Sequence, residues 1–297
     1  MADRLNQISA FVEVARQGSF VRAAARLSVN VSATSRAVAA LEARLGVRLL
    51  QRSTRRVALT EAGRSHFRRC EALLNEIDDA EAAVGRAAGA VEGRLRVSVP
   101  TGLGLTHLAP ALPEFLAAHP AVTLDLHYAN RIVDLVEEGF DLAIRVGGVL
   151  DPRLVARRLA TSRRLPVASP AWLAAHGAPR RTADLARHPA LVLDVGAEPE
   201  RWTLVRAGRE RHVRVTPRLR SGNALALAAA CLGGSGIALL PDFVIEAPLA
   251  QGRLVRVLPG WASPEQGIHA IYPANRFIPA KVRAFADFIA ARLATLR

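Results

Sequence analysis

The stretch GSFVRAAARLSVNVSATSRAVAALEARLGVRLL, residues 18–50, decides the fold of the N-terminal part of the chain. Ser19 is a good N-cap for a helix that runs through Leu27. Residues 28–30 then form a turn, and Asn30 can cap a second helix by accepting from its free N–H groups. Two helices joined by so short a turn predict a helix-turn-helix.

The second helix of this stretch has two unlike faces. Four residues at helical spacing predict one buried stripe: Thr34, Val38, Leu41 and Leu45. The opposite face carries short side chains and one cation, at Ser32, Ser35, Arg36 and Ala39. A helix face with short side chains can enter the DNA major groove and reach base edges. We therefore expect Ser32, Ser35 and Arg36 to bind DNA.

Positive charge is concentrated in the same part of the chain. The 297 residues include 40 basic and 26 acidic ones, a formal net charge of +14. Residues 1–60 hold ten Arg against Asp3, Glu13 and Glu42, a balance of +7. A genome-wide preference for Arg would explain why Lys is nearly absent, but not this uneven distribution. Because arginines on phosphates supply the sequence-independent part of DNA affinity, we expect double-stranded DNA as the partner.

Length and composition narrow the class of protein. A chain of 297 residues is long enough for two domains with a substantial core. No apolar run reaches eighteen residues, and the N-terminus lacks the features of a signal peptide, so we expect a cytoplasmic protein that does not span a membrane. Cys70 and Cys231 are too far apart to suggest a disulfide framework, and Cys231 in its Ala-rich run suggests a buried side chain.

A wing follows the helix-turn-helix. Two short runs with apolar residues, 49–52 and 56–59, flank a tight polar turn at residues 53–55, which predicts a β-hairpin. Arg52, Arg55 and Arg56 would then meet DNA phosphates. The alternative is a merely solvated turn.

A long helix is predicted next. Thr60 is its N-cap, and the helical pattern continues to about Gly89. A heptad seam, interrupted by Glu81, comprises Phe67, Cys70, Leu74, Ile77 and Val84. A narrow apolar stripe on a charged helix needs a partner, and we expect a second copy of the same helix, which makes the protein a dimer. The alternative is that the stripe packs on the C-terminal domain of its own chain.

The rest of the chain predicts an α/β domain. From Leu95 onward, short strands alternate with helices, among them helices over residues 106–118, 131–138 and 223–232, which is typical of βαβ units in a mostly parallel sheet. The last helix would have Pro279 in its first turn and would bury Val282, Phe285, Ile289 and Leu293.

Motifs for catalysis are missing from the sequence. The eight His do not pair with each other or with Cys at ligand spacing, and neither a nucleophile elbow nor a P-loop occurs, so we expect no enzyme, no metal and no cofactor. The turn at residues 101–104 has two of the glycines of a dinucleotide fingerprint, but His107 occupies the third position. We interpret this turn as one whose backbone N–H groups meet a small ligand.

The whole chain resembles a LysR-type transcriptional regulator. The N-terminal resemblance covers residues 18–63, GSFVRAAARLSVNVSATSRAVAALEARLGVRLLQRSTRRVALTEAG. The C-terminal motifs that carry it are DLAIRVGGVLDPRLVARRL, ASPAWLAAHG, GIALLPDFV, GRLVRVLP and IPAKVRAFADFIAARL. The family has Ser where this chain has Asn30, an equivalent cap, and an apolar residue at Thr34, whose hydroxyl can bond back to the preceding turn.

The resemblance implies an α/β architecture with three parts. These are a winged helix-turn-helix over residues 1–60, a linker or dimerisation helix over 61–90, and a two-lobed domain like a periplasmic binding protein over 91–297. Lobe one would comprise residues about 91–162 and 266–297, and lobe two about 163–265. The function implied is a sequence-specific transcriptional regulator whose promoter binding is modulated by a small molecule held in the cleft between the lobes.

Ligands in open α/β sheets bind beyond the carboxyl ends of strands. We therefore expect the effector at Thr101, Gly102, Leu103, Arg145, Val146 and Asn223. An ordinary salt bridge is the alternative role for Arg145. The expected oligomer is a dimer or a tetramer, and RNA polymerase would be a further partner if the protein activates transcription. Two rival functions stay open: an enzyme with a regulatory N-terminal domain, and a DNA-architectural protein that responds to no ligand.

Overall fold

The computed structural model describes residues 2–52, 57–85, 91–148, 153–274 and 278–294. The chain divides into two compact units, one of residues 1–90 with 133–141 and one of residues 91–132 with 142–297. None of the helices in the described ranges is sufficiently long and apolar to span a membrane.

The N-terminal elements form a winged helix-turn-helix, as expected. They are α1 (Ala2–Gln17), α2 (Phe20–Arg26), α3 (Val31–Leu45), β1 (Leu50–Arg52), β2 (Val57–Leu59) and α4 (Glu61–Gly85). Ser19 caps α2 by accepting from the N–H of Arg22, and Asn30 caps α3 by accepting from the N–H of Ala33. The predicted caps are thus confirmed. The two strands pair antiparallel, with Leu50 opposite Leu59.

One core holds these helices together. Its fully buried members include Phe11 of α1, Val38 and Leu41 of α3, and Leu49 before the wing. Thr34 is buried as predicted, but the prediction for Leu45 is wrong, since that residue is 39 % exposed. Leu45 is the last residue of α3, and the left-handed Gly46 turns the chain away before another helix covers it.

The remaining strands and helices belong to the second unit, except the short helix α7, which belongs to the first. The strands are β3 (Gly93–Val99), β4 (Val122–Tyr128), β5 (Leu142–Val146), β6 (Leu154–Ser162), β7 (Arg164–Ala168), β8 (Pro189–Leu193), β9 (Arg201–Arg206), β10 (Arg209–Arg214), β11 (Thr216–Ser221), β12 (Ile237–Pro241), β13 (Val255–Arg256) and β14 (Gln266–Pro273). The helices are α5 (Thr101–Leu103), α6 (Leu112–Ala118), α7 (Leu135–Glu138), α8 (Pro170–His176), α9 (Ala224–Leu232), α10 (Asp242–Ala250) and α11 (Ala280–Leu293).

Two five-stranded sheets dominate the second unit. Their strand orders are β4-β3-β5-β14-β6 and β11-β8-β12-β7-β13, and β9 and β10 form a separate hairpin. In the first sheet β3 pairs parallel with β4 and β5, whereas β14 pairs antiparallel with β5 and β6. The second sheet repeats this mixture. The expectation of mostly parallel sheets is therefore wrong, because the chain returns to each sheet through antiparallel strands.

Several element bounds also differ from expectation. Helical structure begins at Thr101, not at residue 106, and runs through a π turn and a 3-10 turn into α6. The predicted helix over 131–138 is reduced to α7, which Asp134 caps. Pro279 is the N-cap of α11 and lies just before its first turn. All four residues predicted to be buried by α11 are buried: Val282, Phe285, Ile289 and Leu293.

Candidate functional site

The N-terminal turn of α3 is organised by Asn30. Its Oδ1 accepts from the N–H of Ala33 at 2.7 Å and from the hydroxyl of Ser32 at 2.8 Å. The hydroxyl of Thr34 donates to the carbonyl of Asn30 at 3.3 Å, as its sequence position predicted. These bonds fix the start of the helix, where a reading helix first meets base edges.

The three predicted DNA-binding residues of α3 lie on one face. Ser32, Ser35 and Arg36 are three and four residues apart, so their side chains are neighbours. Ser32 and Arg36 are exposed and Ser35 is half-buried. The face combines two hydroxyls with one cation and has no bulky side chain among these three.

The wing is tied to α3 by a residue that the sequence did not single out. Glu42 of α3 accepts, through its Oε1, from the N–H of Leu49 at 2.8 Å and from that of Leu50 at 3.0 Å. Because Leu49 precedes β1 and Leu50 is its first residue, Glu42 ties the start of the wing to α3. An acid near the end of a helix in so basic a domain was the available signal.

The wing arginines are only partly described. Arg52 ends β1 opposite Val57, and its backbone position agrees with the predicted hairpin. Arg55 and Arg56 lie outside the described residues. Contact of these three arginines with phosphate stays a prediction.

An ion-pair cluster with two buried carboxylates connects α1 with α2 and α4. Arg16 Nε donates to Glu71 of α4 at 3.0 Å, and Arg26 of α2 lies 3.6 Å from Glu13. Glu13 and Glu71 are only 6 % and 3 % exposed. Removing one partner from such a cluster leaves an uncompensated buried charge, so it holds the three helices in register. Sequence spacing gives no sign of it, since Arg16 and Glu71 are 55 residues apart.

The long helix α4 uses part of its predicted seam within its own chain. Thr60 caps it by accepting from the N–H of Gly63 at 2.9 Å, as expected. Cys70 is buried in the helix-turn-helix core, and Phe67 and Leu74 pack against that core. The two partners predicted for the seam were a second copy of the helix and the C-terminal domain, and neither prediction included this contact with the helix-turn-helix core. Leu73, on another face of α4, is 53 % exposed.

A cavity of about 400 Å³ lies between the two sheets of the second unit. The ends of strands line it, together with the loops and helix starts next to them: Pro100, Gly102, Ala129, Asn130, Arg145, Val146, Gly147, Gly148, Ser162, Arg164, Leu193, Val195, Gly196, Gly222, Ala224, Pro241, Phe243 and Gln266. We call this cavity the cleft. Gly102, Arg145 and Val146 were among the six residues expected to bind an effector.

The other three expected residues do not line the cleft. Leu103 is fully buried in the core, and the N–H of Thr101 donates to Asn130 Oδ1 at 3.0 Å. Asn223 caps α9 by accepting from the N–H of Leu225 at 2.9 Å. Contact of these three residues with an effector stays a prediction.

Asn130 joins the loops of the two sheets. Its side chain accepts from Thr101 beside the first sheet and donates, through Nδ2, to the carbonyl of Gly222 beside the second sheet at 2.7 Å. A side-chain amide is suited to this position because it donates and accepts at once. Asn130 follows β4, and its place at a strand end was the only sequence signal for it.

The two glycines of the TGLG turn are required for packing. A Cβ on Gly102 would lie 2.9 Å from Cγ2 of Val244 in α10, and one on Gly104 would collide with the ring of Tyr128. We predicted that backbone N–H groups of this turn donate to a ligand. The glycines are explained by packing instead, and the first N–H, that of Thr101, already donates to Asn130.

Two arginines line the cleft in different settings. Arg145 at the end of β5 donates to the hydroxyl of Ser98 at 3.0 Å and to the carbonyl of Ile144 at 2.8 Å, which orients its guanidinium. Arg164 begins β7, and its Nε is buried with no hydrogen-bond partner among the described residues. Burial lowers the pKa of the Arg164 guanidinium. The sequence gives no reason to prefer Arg164 over Arg163, whose guanidinium pairs with Glu265.

A winged helix-turn-helix combined with a two-sheet α/β unit that holds a ligand-sized cleft defines the class of one-component transcriptional regulators. Family models agree with both parts. Residues 5–64 match the model described as bacterial regulatory helix-turn-helix protein, lysR family, and residues 88–294 match the LysR substrate binding domain.

Relatives and solved structures agree with that assignment. An HTH-type transcriptional regulator of Xanthomonas campestris pv. campestris is 39 % identical over 99 % of this chain and 86 % of its own length. The structure of CrgA, a LysR-type transcriptional regulator from Neisseria meningitidis, covers 97 % of this chain and 98 % of its own at 33 % identity, with a TM-score of 0.64. Full-length AphB, a Vibrio cholerae virulence activator, covers 97 % and 98 % at 30 % identity, with a TM-score of 0.62.

The chain belongs to the LysR family of bacterial transcriptional regulators. It has a helix-turn-helix DNA-binding domain and a substrate-binding effector domain. Regulators of this family bind promoter DNA and small-molecule effectors and form oligomers; they are not enzymes.

Proposed function

We propose that this regulator reads its operator with the N-terminal part of α3 and holds its effector in the cleft. The observation that carries the proposal is the exposed face of Ser32, Ser35 and Arg36, placed at the capped start of a helix whose other side is anchored in a buried core. A rigid helix with short side chains at its start is what base readout in a major groove requires.

The wing supplies affinity without specificity. Arg52, Arg55 and Arg56 bind phosphates on either side of the groove that α3 enters, and so fix its register. The tie between Glu42 and the first strand of the wing supports this division of labour, because it couples the phosphate contacts to the reading helix.

The effector binds between two lobes of the domain formed by residues 91–297. Lobe one comprises residues about 91–162 and 266–297, and lobe two about 163–265. Gly102, Arg145 and Val146 contribute from the side of the first sheet, and Asn130 bridges to the loop at Gly222. A ligand that prefers one arrangement of the lobes shifts the population of that arrangement and thereby alters DNA binding.

The working form is a homodimer or a dimer of dimers, acting on promoter DNA in the cytoplasm. Part of the α4 surface beyond the Phe67–Leu74 contacts supplies the contact between copies, and two heads then read two half-sites. If the protein activates transcription, RNA polymerase is its further partner.

Selection of duplexes from a random-sequence pool tests the proposal. The wild type should enrich a motif with two half-sites, while the Arg36→Ala variant should enrich none or a relaxed one. Arg209→Ala, which removes an exposed arginine of the β9–β10 hairpin, is the matched control and should enrich the wild-type motif. Equal motifs from wild type and Arg36→Ala would contradict the role given to α3.

A further inference from the structure

The described lining of the cleft is positive. Its ionisable side chains are Arg145 and Arg164, and no Asp or Glu occurs among the lining residues that the structure describes. The remaining polar side chains are neutral: Asn130, Ser162 and Gln266. The lining also includes apolar side chains, among them those of Val146, Leu193, Val195 and Phe243.

Asp242, which adjoins the lining residues Pro241 and Phe243, is already engaged. Asp242 accepts from the hydroxyl of Ser162 at 2.6 Å, and from the N–H groups of Arg163 and Phe243 at 2.9 Å each. These three bonds use most of the acceptor capacity of the carboxylate. Asp242 thus joins the end of β6 and the residue that follows it to α10, and does not line the cleft.

Arg164 is half-buried, and its guanidinium has lost part of its contact with water. Its Nε is buried without a hydrogen-bond partner in the described structure. A cation removed from water needs an anion or hydrogen-bond acceptors to compensate, and a guanidinium stays charged at neutral pH even when its pKa is lowered. Arg145, by contrast, is held in place by Ser98 and Ile144, so a second guanidinium is oriented at the same cavity.

We propose that the effector is a small organic anion. Its carboxylate or phosphate group binds the guanidinium of Arg164 in the field of Arg145, and its apolar body lies against Val146, Leu193 and Phe243. The fork of guanidinium N–H donors matches the geometry of either oxyanion. A cavity of about 400 Å³ is near the lower end of ligand pockets, which restricts the effector to a small metabolite. This inference rests on the proposed role of the cleft.

Pairs of probes that differ in carrying a carboxylate or an amide test, on the full chain, whether the effector must be an anion. The pairs are benzoate with benzamide and succinate with succinamide, and phenyl phosphate is the arm that separates phosphate from carboxylate. We expect at least one anion to raise the melting temperature while its neutral counterpart does not. In Arg164→Gln its dissociation constant should rise roughly 10- to 100-fold, the scale of a lost charge-assisted hydrogen bond.

Two controls separate binding from folding. Arg163→Gln removes the neighbouring guanidinium, which pairs with Glu265 outside the cleft, and should bind the anion as the wild type does. Arg164→Gln without ligand should melt no lower than the wild type, because the substitution removes a half-buried cation whose Nε has no hydrogen-bond partner among the described residues. Arg164→Lys should restore part of the affinity.

Different outcomes would contradict the proposal of an anionic effector and the proposal that the cleft is the effector site. Neutral amides that stabilise as well as the acids, or anion binding unchanged in Arg164→Gln, would overturn the anion inference and leave the cleft as a neutral-effector site. The absence of a shift with every probe would count against both the anion and the cleft.

Discussion

Arg36 is the one cation among the three side chains that we assign to base readout. It is exposed, it follows the capped first turn of α3, and its neighbours Ser32 and Ser35 are small. We expect Arg36→Ala to weaken specific DNA binding by about 1–3 kcal/mol while the melting temperature stays near that of the wild type, since an exposed side chain contributes little to the fold. Fluorescence anisotropy on the selected duplex measures the loss, with Arg209→Ala as control.

Glu42 shows how one side chain sets the position of an element. Its carboxylate accepts from two consecutive amides that start the wing. Glu42→Ala should lower the free energy of unfolding by about 1–3 kcal/mol, because two N–H groups of buried residues lose their acceptor. Glu42→Gln keeps one acceptor oxygen and should lose less. Chemical denaturation compares them, and equal stability of Glu42→Ala and wild type would refute the assigned role.

At the scale of elements, α4 packs on the helix-turn-helix through a histidine. Nε2 of His66 lies 3.2 Å from Sγ of the buried Cys70, and its ring lies 5.7 Å from that of Phe11. Burial, followed by the charges of Arg44 and Arg69, lowers the pKa of His66.

This lowered pKa predicts a pH dependence of stability. Between the ordinary histidine value of about 6.5 and the lower folded-state value, the unfolded chain binds more protons, so stability falls as pH drops through that window. His66→Gln should flatten that part of the profile. Chemical denaturation followed by circular dichroism from about pH 5 to 8 checks it. Superimposable profile shapes for variant and wild type would contradict the expectation.

At the scale of the whole molecule, salt should control DNA affinity. Phosphate contacts release counterions, so the logarithm of the binding constant falls linearly with the logarithm of salt concentration. Replacing Arg52, Arg55 and Arg56 together with Ala should reduce that slope by about three, one for each phosphate contact. The Arg36→Ala variant should change the affinity more than the slope. An unchanged slope in the triple variant would favour the solvated-turn alternative for the wing.

Local signals made the helix-turn-helix predictable from the sequence. Ser19, Asn30 and Thr60 each accept from a backbone N–H three residues later. Each cap and the helix that it begins can therefore be recognised from residues adjacent in sequence. The buried side of α3 follows from helical spacing in the same way, and it failed only at Leu45, where the helix ends. The family resemblance supplied what spacing alone did not, namely the expectation of a two-lobed domain whose ligand modulates promoter binding.

The cleft and the ion-pair cluster were decided by tertiary structure. Asn130 and Gly222 are 92 residues apart in sequence, and Arg16 and Glu71 are 55 apart. Arg163 and Arg164 are adjacent and chemically identical, yet one pairs with Glu265 and the other lines the cleft. The reason is that strand pairing and sheet order fix which distant loops meet and which side of a strand is buried. Caps and periodicity are properties of neighbours along the chain; burial and partnership of a charge are properties of the assembled fold.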